Sequence, residues 1–360
     1  MNNLHLAGVC QSVSNPSRGD TRLAWFNVVG YGTATGVATE GDMTQNTDPH
    51  CSGLNPEDYE ELTGFVGDWR DTWWDQDFLQ MMARKWRAES IGTVLDVGCG
   101  VGHWGQRLMT LMGEEATLEG VDAESSWIDK AHTRATSQGL GDRARYQVAD
   151  AYALPYQDGA FDMVTCQTLL MHVKDPQAVV REMARVLRPG GLFVAAEPNN
   201  FGSSAGSMVA GPRKSWEEIS PLLEMEYICA QGKEALGEGN YSVGEHVPAF
   251  LLALGWTNIQ VQQNSQCAQK IPPYDTPGEQ TSIDMLRKNH ETGAAMALGG
   301  TIDNVRRLYQ AGGGDPDRFA FLFERIRANG DELMNGFDTN TFISSGGHIH
   351  YLVWGRKPEG

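Results

Sequence analysis

The run Thr93-Val94-Leu95-Asp96-Val97-Gly98-Cys99-Gly100-Val101-Gly102-His103-Trp104-Gly105 constrains this chain more than any other stretch. Apolar, partly β-branched residues lead straight into alternating glycines, which predicts a strand, a sharp turn and a helix behind it. Glycine suits such a turn because it tolerates left-handed backbone and lets a ligand lie against bare main chain. The helix start beyond adds partial positive charge and open N–H groups. The stretch therefore reads as a nucleotide-binding turn, and its glycine spacing and the acids after the next strands bear on which nucleotide.

Gly100, Gly102 and Gly105 satisfy the dinucleotide spacing G-x-G-x-x-G, but the first of them falls two residues beyond the strand end. Counted from Gly98 the pattern is G-x-G-x-G, and the dinucleotide spacing fails at His103. Asp96 repels a pyrophosphate and suits a ligand carrying an ammonium group. A second strand, Thr117 to Val121, runs into Asp122, placed to accept ribose hydroxyls of NAD or any other adenosyl ligand. A third strand, Tyr146 to Val148, is followed by Asp150, placed to hold an adenine amino group.

These motifs resemble the class I S-adenosylmethionine (SAM) methyltransferases. The resemblance rests on Leu95 to Gly102, Gly120-Val121-Asp122, Ala149-Asp150-Ala151 with Leu154-Pro155, Phe161 to Val164, and Leu187-Arg188-Pro189-Gly190-Gly191. They stand in order and at natural spacings over about residues 90 to 200. The resemblance implies an α/β fold: a doubly wound, seven-stranded Rossmann-like sheet with SAM at the carboxyl ends of its strands. It also implies roles. Gly98, Gly100 and Gly102, with the backbone of Cys99, lie near the methionine part together with Asp96. Asp122 and Ala123 lie at the ribose, Asp150 and Ala151 at the adenine, and Gln167 on the cofactor side. Two rivals stand beside this reading, a non-catalytic SAM-binding module and an NAD-dependent oxidoreductase.

Six cysteines (Cys10, Cys51, Cys99, Cys166, Cys229, Cys267) form no C-x-x-C pair and no three-cysteine cluster, which argues against a zinc cage or an iron–sulfur site. The formal charge of −18 disfavours nucleic acid as partner. No apolar run is long enough to cross a bilayer, and the N-terminal residues lack the order of a signal peptide. With thiols read as reduced, a cytoplasmic enzyme acting on a small molecule is expected.

Residues 1–50 are rich in Gly, Ser, Thr and Asn and read as a disordered tail, with Met43 as the expected native start. Residues 51–90 read as a helical flap carrying Tyr59, Phe65, Trp69, Trp73, Trp74, Phe78 and Trp86. Such a stripe either packs on the core or presents aromatic faces to a sulfonium or cationic acceptor. Arg70 would then bind the SAM carboxylate as a guanidinium fork. Residues 91–200 form the SAM-binding core. Residues 201–360 supply strands six (Asn258 to Val261) and seven (Ile349 to Trp354), the latter a hairpin partner. Strand five is expected over Leu192 to Ala196, with Gly190-Gly191 in the link before it. Insertions at about 200–240 and 272–345 are expected to form a helical lid, with oligomer contact as the alternative use. The second insertion predicts helices over Thr281 to Leu298, Ile302 to Gln310 and Arg318 to Leu333.

Methyl transfer from a sulfonium needs alignment, and a base only where the acceptor must lose a proton. His172, in the segment after strand four, is the leading base candidate because an imidazole titrates near neutrality. Glu197, at the end of strand five, is the second; there a carboxylate could instead orient an amine. His348 and His350 would share one face of a strand, but no third metal ligand stands near them in sequence. No metal site is expected, and transfer is expected to be metal-independent to an oxygen or nitrogen atom.

Overall fold

The computed structural model describes residues 68–265, 267–291 and 301–359, without the side chains of Asp68, Trp69 and Thr72. The expected tail, Met43, Tyr59, Phe65 and the side chain of Trp69 lie outside the described residues, as does the end of the expected helix to Leu298.

Strands β1 (Thr93–Val97), β2 (Thr117–Asp122), β3 (Ala144–Val148), β4 (Phe161–Gln167), β5 (Leu187–Pro198), β6 (Gln260–Gln263) and β7 (His350–Arg356) form one sheet in the order β3-β2-β1-β4-β5-β7-β6. The first five strands pair in parallel, while β7 runs antiparallel between β5 and β6. The order reverses between β1 and β4, so a crevice opens at the carboxyl ends of the strands there. Strand five is longer than expected: it starts at Leu187 and takes in Gly190-Gly191, with an irregular register between Phe161 and Met163 of its neighbour. Strands six and seven are each displaced slightly toward the C-terminus of their expected spans.

Helices α1 (Gln76–Trp86), α2 (His103–Met109), α3 (Ser125–Ser137) and α4 (Pro176–Val186) flank this core. Asp75 caps α1 by accepting the Phe78 N–H, and Asp175 caps α4 by accepting the Ala178 N–H ahead of Pro176. The flap is broken in two, a 3-10 turn over Asp68–Trp73 and then α1, because Asp75 turns the chain before it can cap. Trp74, Phe78, Leu79, Met82 and Trp86 are buried against Val94, Leu118, Met163 and Leu352 on one face of the sheet. Three of the four described aromatic side chains of the stripe, Trp74, Phe78 and Trp86, are therefore core, each contributing roughly 1.5–3 kcal/mol by burial. Val179, Met183 and Val186 of α4 close the opposite face.

The insertions are helical. The first gives α5 (Asn200–Met208) and α6 (Trp216–Ala235), and α7 (Val247–Ala253) leads on to β6. The second gives α8 (Pro277–Glu291), α9 (Ile302–Ala311) and α10 (Pro316–Asp338). Met225 and Cys229 of α6 share a core with Val305, Leu308 and Tyr309 of α9 and with Phe319, Leu322 and Phe323 of α10. A side chain at Gly232 would collide with the Leu308 carbonyl oxygen at 1.8 Å, so these helices touch through their backbones. The insertions, distant in sequence, are thus packed on each other. Arg318 of α10 reinforces the contact with an ion pair to Glu224.

Candidate cofactor and acceptor site

The glycine turn lies at the carboxyl end of β1. Gly98 has φ +65°, and a Cβ there would sit 2.6 Å from Leu169 Cδ1, in the segment after β4. Gly102 has φ +87°, and a Cβ would meet Gln106 Nε2 at 2.3 Å. Both positions disfavour a side chain through their positive φ, and an added Cβ would also require Leu169 or Gln106 to shift. The helix behind the turn, α2, spans only His103–Met109.

Asp96, one residue before the end of β1, is 1 % exposed and accepts the Gly105 N–H through Oδ2 at 3.0 Å. Its Oδ1 is buried without a hydrogen-bond partner. Burial, partly opposed by the Gly105 N–H and assisted by the charge of Asp122, pushes the carboxyl up to about 8. Gln167, at the end of β4, is buried with Nε2 likewise unpartnered. Strand alternation puts Asp96, Thr165 and Gln167 on one sheet face, since Asp96 pairs with Thr165 across the β1–β4 ladder. An orphan acceptor and an orphan donor thus stand close to the glycine turn. The aminoacyl end of SAM offers an ammonium that can donate to the one and a carboxylate that can accept from the other, and so the residues present fit it.

Asp122 and Asp150, expected at the adenosine, stand at or just after the ends of successive strands, and their carboxylates hold the backbone. Asp122 accepts the Gly100 N–H at 2.8 Å and the Glu124 N–H at 3.0 Å. Ala123 follows it ahead of α3, which Glu124 caps. Asp150 accepts the Tyr152 N–H at 2.9 Å, an Asx turn after β3 that also carries Ala151. Cys99 donates its N–H to Val121 O, and its buried thiol is pushed well up by burial and by the neighbouring Asp122 and Asp96.

The segment after β4 is set by Glu197. This carboxyl is fully buried at the end of β5, and its Oε1 accepts the N–H groups of Leu169 at 3.0 Å and Leu170 at 2.9 Å. Burial pushes it up to about 7 despite those bonds, and Oε2 has no partner. Thr168, just before, is held at φ +52°, and its hydroxyl accepts from Arg70 at 3.4 Å. A non-glycine residue in that region is strained and is held by its surroundings. His172 ends the 3-10 turn Leu170–His172 and is half-buried. Gly239, with φ +90°, approaches the Met171 carbonyl and His172 backbone so closely that no side chain would fit.

The flap reaches the same edge. The Arg70 guanidinium lies 4.8 Å over the Trp73 ring, and that ring meets His348 and His350 at 4.9 Å each. Asp71 anchors the turn to α3 through Arg134 at 2.6 Å and to α2 through His103 at 3.4 Å. The sequence does not single out Trp73, Thr168 and the histidine pair as one cluster. The alternation His348-x-His350 is the available signal, and in sequence it suggests only a metal site. Among the described residues no group of three or more metal-ligating side chains forms.

Residues 88–236 match the family described as Methyltransferase domain. Methyltransferase GfsG of Streptomyces halstedii is 43% identical over 104 residues, 29% of this chain and 37% of that protein. The 27-O-demethylrifamycin SV methyltransferase of Amycolatopsis mediterranei is 38% identical over 104 residues, 29% of this chain and 38% of that protein. The chain thus spans less than half the length of these curated relatives. The solved structure of YcgJ protein from Bacillus subtilis aligns with 79% of this chain and 100% of its own, at 20% identity and a TM-score of 0.45. Residues 88–236, which carry the glycine turn and most of the parallel strands, are thus similar to the methyltransferase domain family.

Proposed function

We propose that the chain transfers a methyl group from SAM to an oxygen or nitrogen atom of a small-molecule acceptor, without a metal. The observation that carries this reading is the pair of buried, unpartnered polar atoms, Asp96 Oδ1 and Gln167 Nε2, near a turn whose positive φ favours glycine. When bound, SAM supplies a methyl carbon made electrophilic by its sulfonium. Asp96 would receive the ammonium, and Arg70 the carboxylate, with Gln167 donating beside them. Gly98, Cys99, Gly100 and Gly102 would pass along the ligand through their backbone. Asp122 and Ala123 would meet the ribose, and Asp150 and Ala151 the adenine.

His172 would take the acceptor proton where the acceptor carries one. Glu197 would act by positioning: its bonds to Leu169 and Leu170 fix the segment that carries His172. The helical insertions would close over the acceptor, since α5 leaves directly from the carboxyl end of β5. A closed site excludes water, which would otherwise solvate the sulfonium charge that disperses on transfer. A formal charge of −18 favours small, uncharged or cationic acceptors over nucleic acid, and cytoplasmic placement fits the scattered cysteines.

The test is incubation with methyl-labelled SAM and a fractionated small-molecule extract. Protein-dependent label in a small organic product supports the reading. SAM binding without transfer to any fraction would favour a non-catalytic SAM-binding module instead.

A further inference from the structure

Where α6 ends, the first insertion meets the segment that carries His172. Gly237, at φ +74°, stops the helix in a Schellman turn: its N–H donates to Glu234 O at 2.9 Å, and the Glu238 N–H donates to Lys233 O at 3.0 Å. The Lys233 ammonium donates back to the Glu238 carbonyl. The Glu238 carboxylate then turns to α9, in the second insertion. Arg307 meets it as a two-pronged fork, Nη1 to Oε1 at 2.6 Å and Nη2 to Oε2 at 3.0 Å, across 69 residues of chain. Asn304, one turn earlier on α9, accepts from Arg307 Nε at 3.1 Å and Nη2 at 2.7 Å, which fixes the plane of the fork.

Directly after Glu238 the chain bears on the His172 segment. A Cβ at Gly239 would sit 2.3 Å from the Met171 carbonyl oxygen and 3.0 Å from the His172 carbonyl carbon, so main chain rests on main chain there. A Cβ at Gly237 would lie 3.4 Å from the Lys174 side chain. The His172 N–H closes its turn on Leu169 O at 2.9 Å, and Glu197 holds Leu169 and Leu170 from the sheet side. The segment is thus gripped between the end of β5 and the end of α6. The fork is not needed to pack the two helices. They already touch through backbone at Gly232, and again at Gly312, where a Cβ would sit 2.0 Å from Ile228 O, and they share an apolar core. What the fork adds is the direction in which the chain leaves α6, and hence where Gly239 presses.

We propose that Arg307 is a positioning residue for the transfer reaction: by holding Glu238 it sets the Gly239 contact and, through that contact, the placement of His172. This rests on the methyltransferase reading, in which His172 takes the acceptor proton. A base acts only within hydrogen-bond reach of the proton it removes, and a displacement of about 1 Å can cost about 10²-fold in rate. The second insertion therefore does more than cover the acceptor, since one of its side chains sets the geometry beneath it.

The test is hydrogen exchange and 15N-histidine spectra of the full chain as wild type, Arg307→Ala, Arg307→Lys, Glu238→Ala and the Arg307→Ala/Glu238→Ala double variant. The side chains of Arg307 and Glu238 are 40% and 18% exposed, so either can reach water when its partner is lost and the variants fold. The His172 ring signals are assigned by their loss in His172→Gln. In Arg307→Ala the amides of residues 169–173 are expected to exchange about fivefold faster, the scale of one well-formed exposed ion pair, and the His172 ring nitrogens to shift. Arg307→Lys, which keeps the charge but not the fork, falls between wild type and Arg307→Ala. The double variant matches Glu238→Ala alone, because both residues act through one contact. Affinity for S-adenosylhomocysteine is unchanged in all of them. Unchanged exchange over residues 169–173, whether or not α6 and α9 loosen, would overturn the proposal, as would additive effects of the two substitutions or His172 signals that do not move. Failure of the wild type to bind S-adenosylhomocysteine would instead sink the methyltransferase reading, and exchange would still report whether the fork sets the segment.

Discussion

The carboxylate of Asp122 accepts the backbone N–H of Gly100 at 2.8 Å. An acid proposed to meet a ribose is thus also a strut of the glycine turn, and the two duties cannot be separated by deletion. Asp122→Ala is expected to weaken S-adenosylhomocysteine about 10- to 100-fold, the range lost with a charge-assisted hydrogen bond. It also lowers the melting temperature, because Gly100 and Glu124 lose an acceptor. Asp122→Asn does not rescue fully, since its amide turns a donor toward one of the two N–H groups. Calorimetric titration and thermal melts of the variants check this; wild-type affinity in Asp122→Ala would remove Asp122 from the cofactor site.

Glu197 separates positioning from proton transfer. Glu197→Gln keeps an acceptor for Leu169 and Leu170 and is expected to retain most turnover, whereas Glu197→Ala leaves two buried N–H groups unpaired at about 1–3 kcal/mol each. Steady-state kinetics decides: a fall of about 10²- to 10⁴-fold in kcat for Glu197→Gln would identify a general base instead.

Stability should fall as pH rises from the acidic side of neutrality. Asp96 (about 8), Glu197 (about 7) and Glu226 (about 7) are all raised, burial being the first cause in each. A carboxyl with a raised folded value binds its proton more tightly when folded. Its contribution is complete below the ordinary value, 3.8 for Asp96 and 4.5 for the two glutamates, and is lost as pH rises through about 7 to 8. Glu226, on α6 and 1 % exposed, is the cleanest case. Glu226→Gln is expected to stabilise the protein at pH 8, by at most about 3 kcal/mol, and to matter little at pH 5. Denaturant melts at the two pH values measure the difference; an equal effect at both would contradict it.

Asp71 shows the opposite sign. Burial opposes its ionisation, but the bond to His103 and the charge of Arg134 outweigh it and hold the carboxyl below its ordinary value. Its contribution is present above pH about 4 and lost on acidification. Asp71→Ala is expected to cost about 1 kcal/mol and to loosen residues 68–73 in hydrogen exchange. It also weakens S-adenosylhomocysteine, because Arg70 sits on that turn. Unchanged exchange there would show that Trp73 and Arg107, which donates to the Asp71 carbonyl, suffice.

Metal independence is tested directly. Turnover is expected to be unchanged in excess chelator; loss restored by magnesium would require a ligand set that the described residues do not present.

The core was legible because its signals are local. Leu95 to Gly102 shows a strand ending in a turn, Asp175-Pro176 shows a helix start, and the acids at Asp122 and Asp150 follow their strands. The helices of the second insertion could be read from apolar spacing, but not what they pack against. Glu197 reads as a candidate base because an acid at a strand end has that meaning; its bonds to Leu169 and Leu170 are made across 28 and 27 residues of chain. The aromatic flap reads as one stripe, and the fold divides it, sending Trp74 and Trp86 to the core and Trp73 to the histidine pair.

By itself the sequence determined the sheet and the glycine turn, since each depends on backbone conformations and periodicities set by neighbouring residues. The tertiary structure alone decided which polar atoms are buried without a partner. Asp96 Oδ1, Gln167 Nε2 and the His350 ring come from strands far apart in the chain, and burial is a property of all that packs around them. Spacing along a chain records which residues can share a face, but desolvation is assigned only when the faces meet.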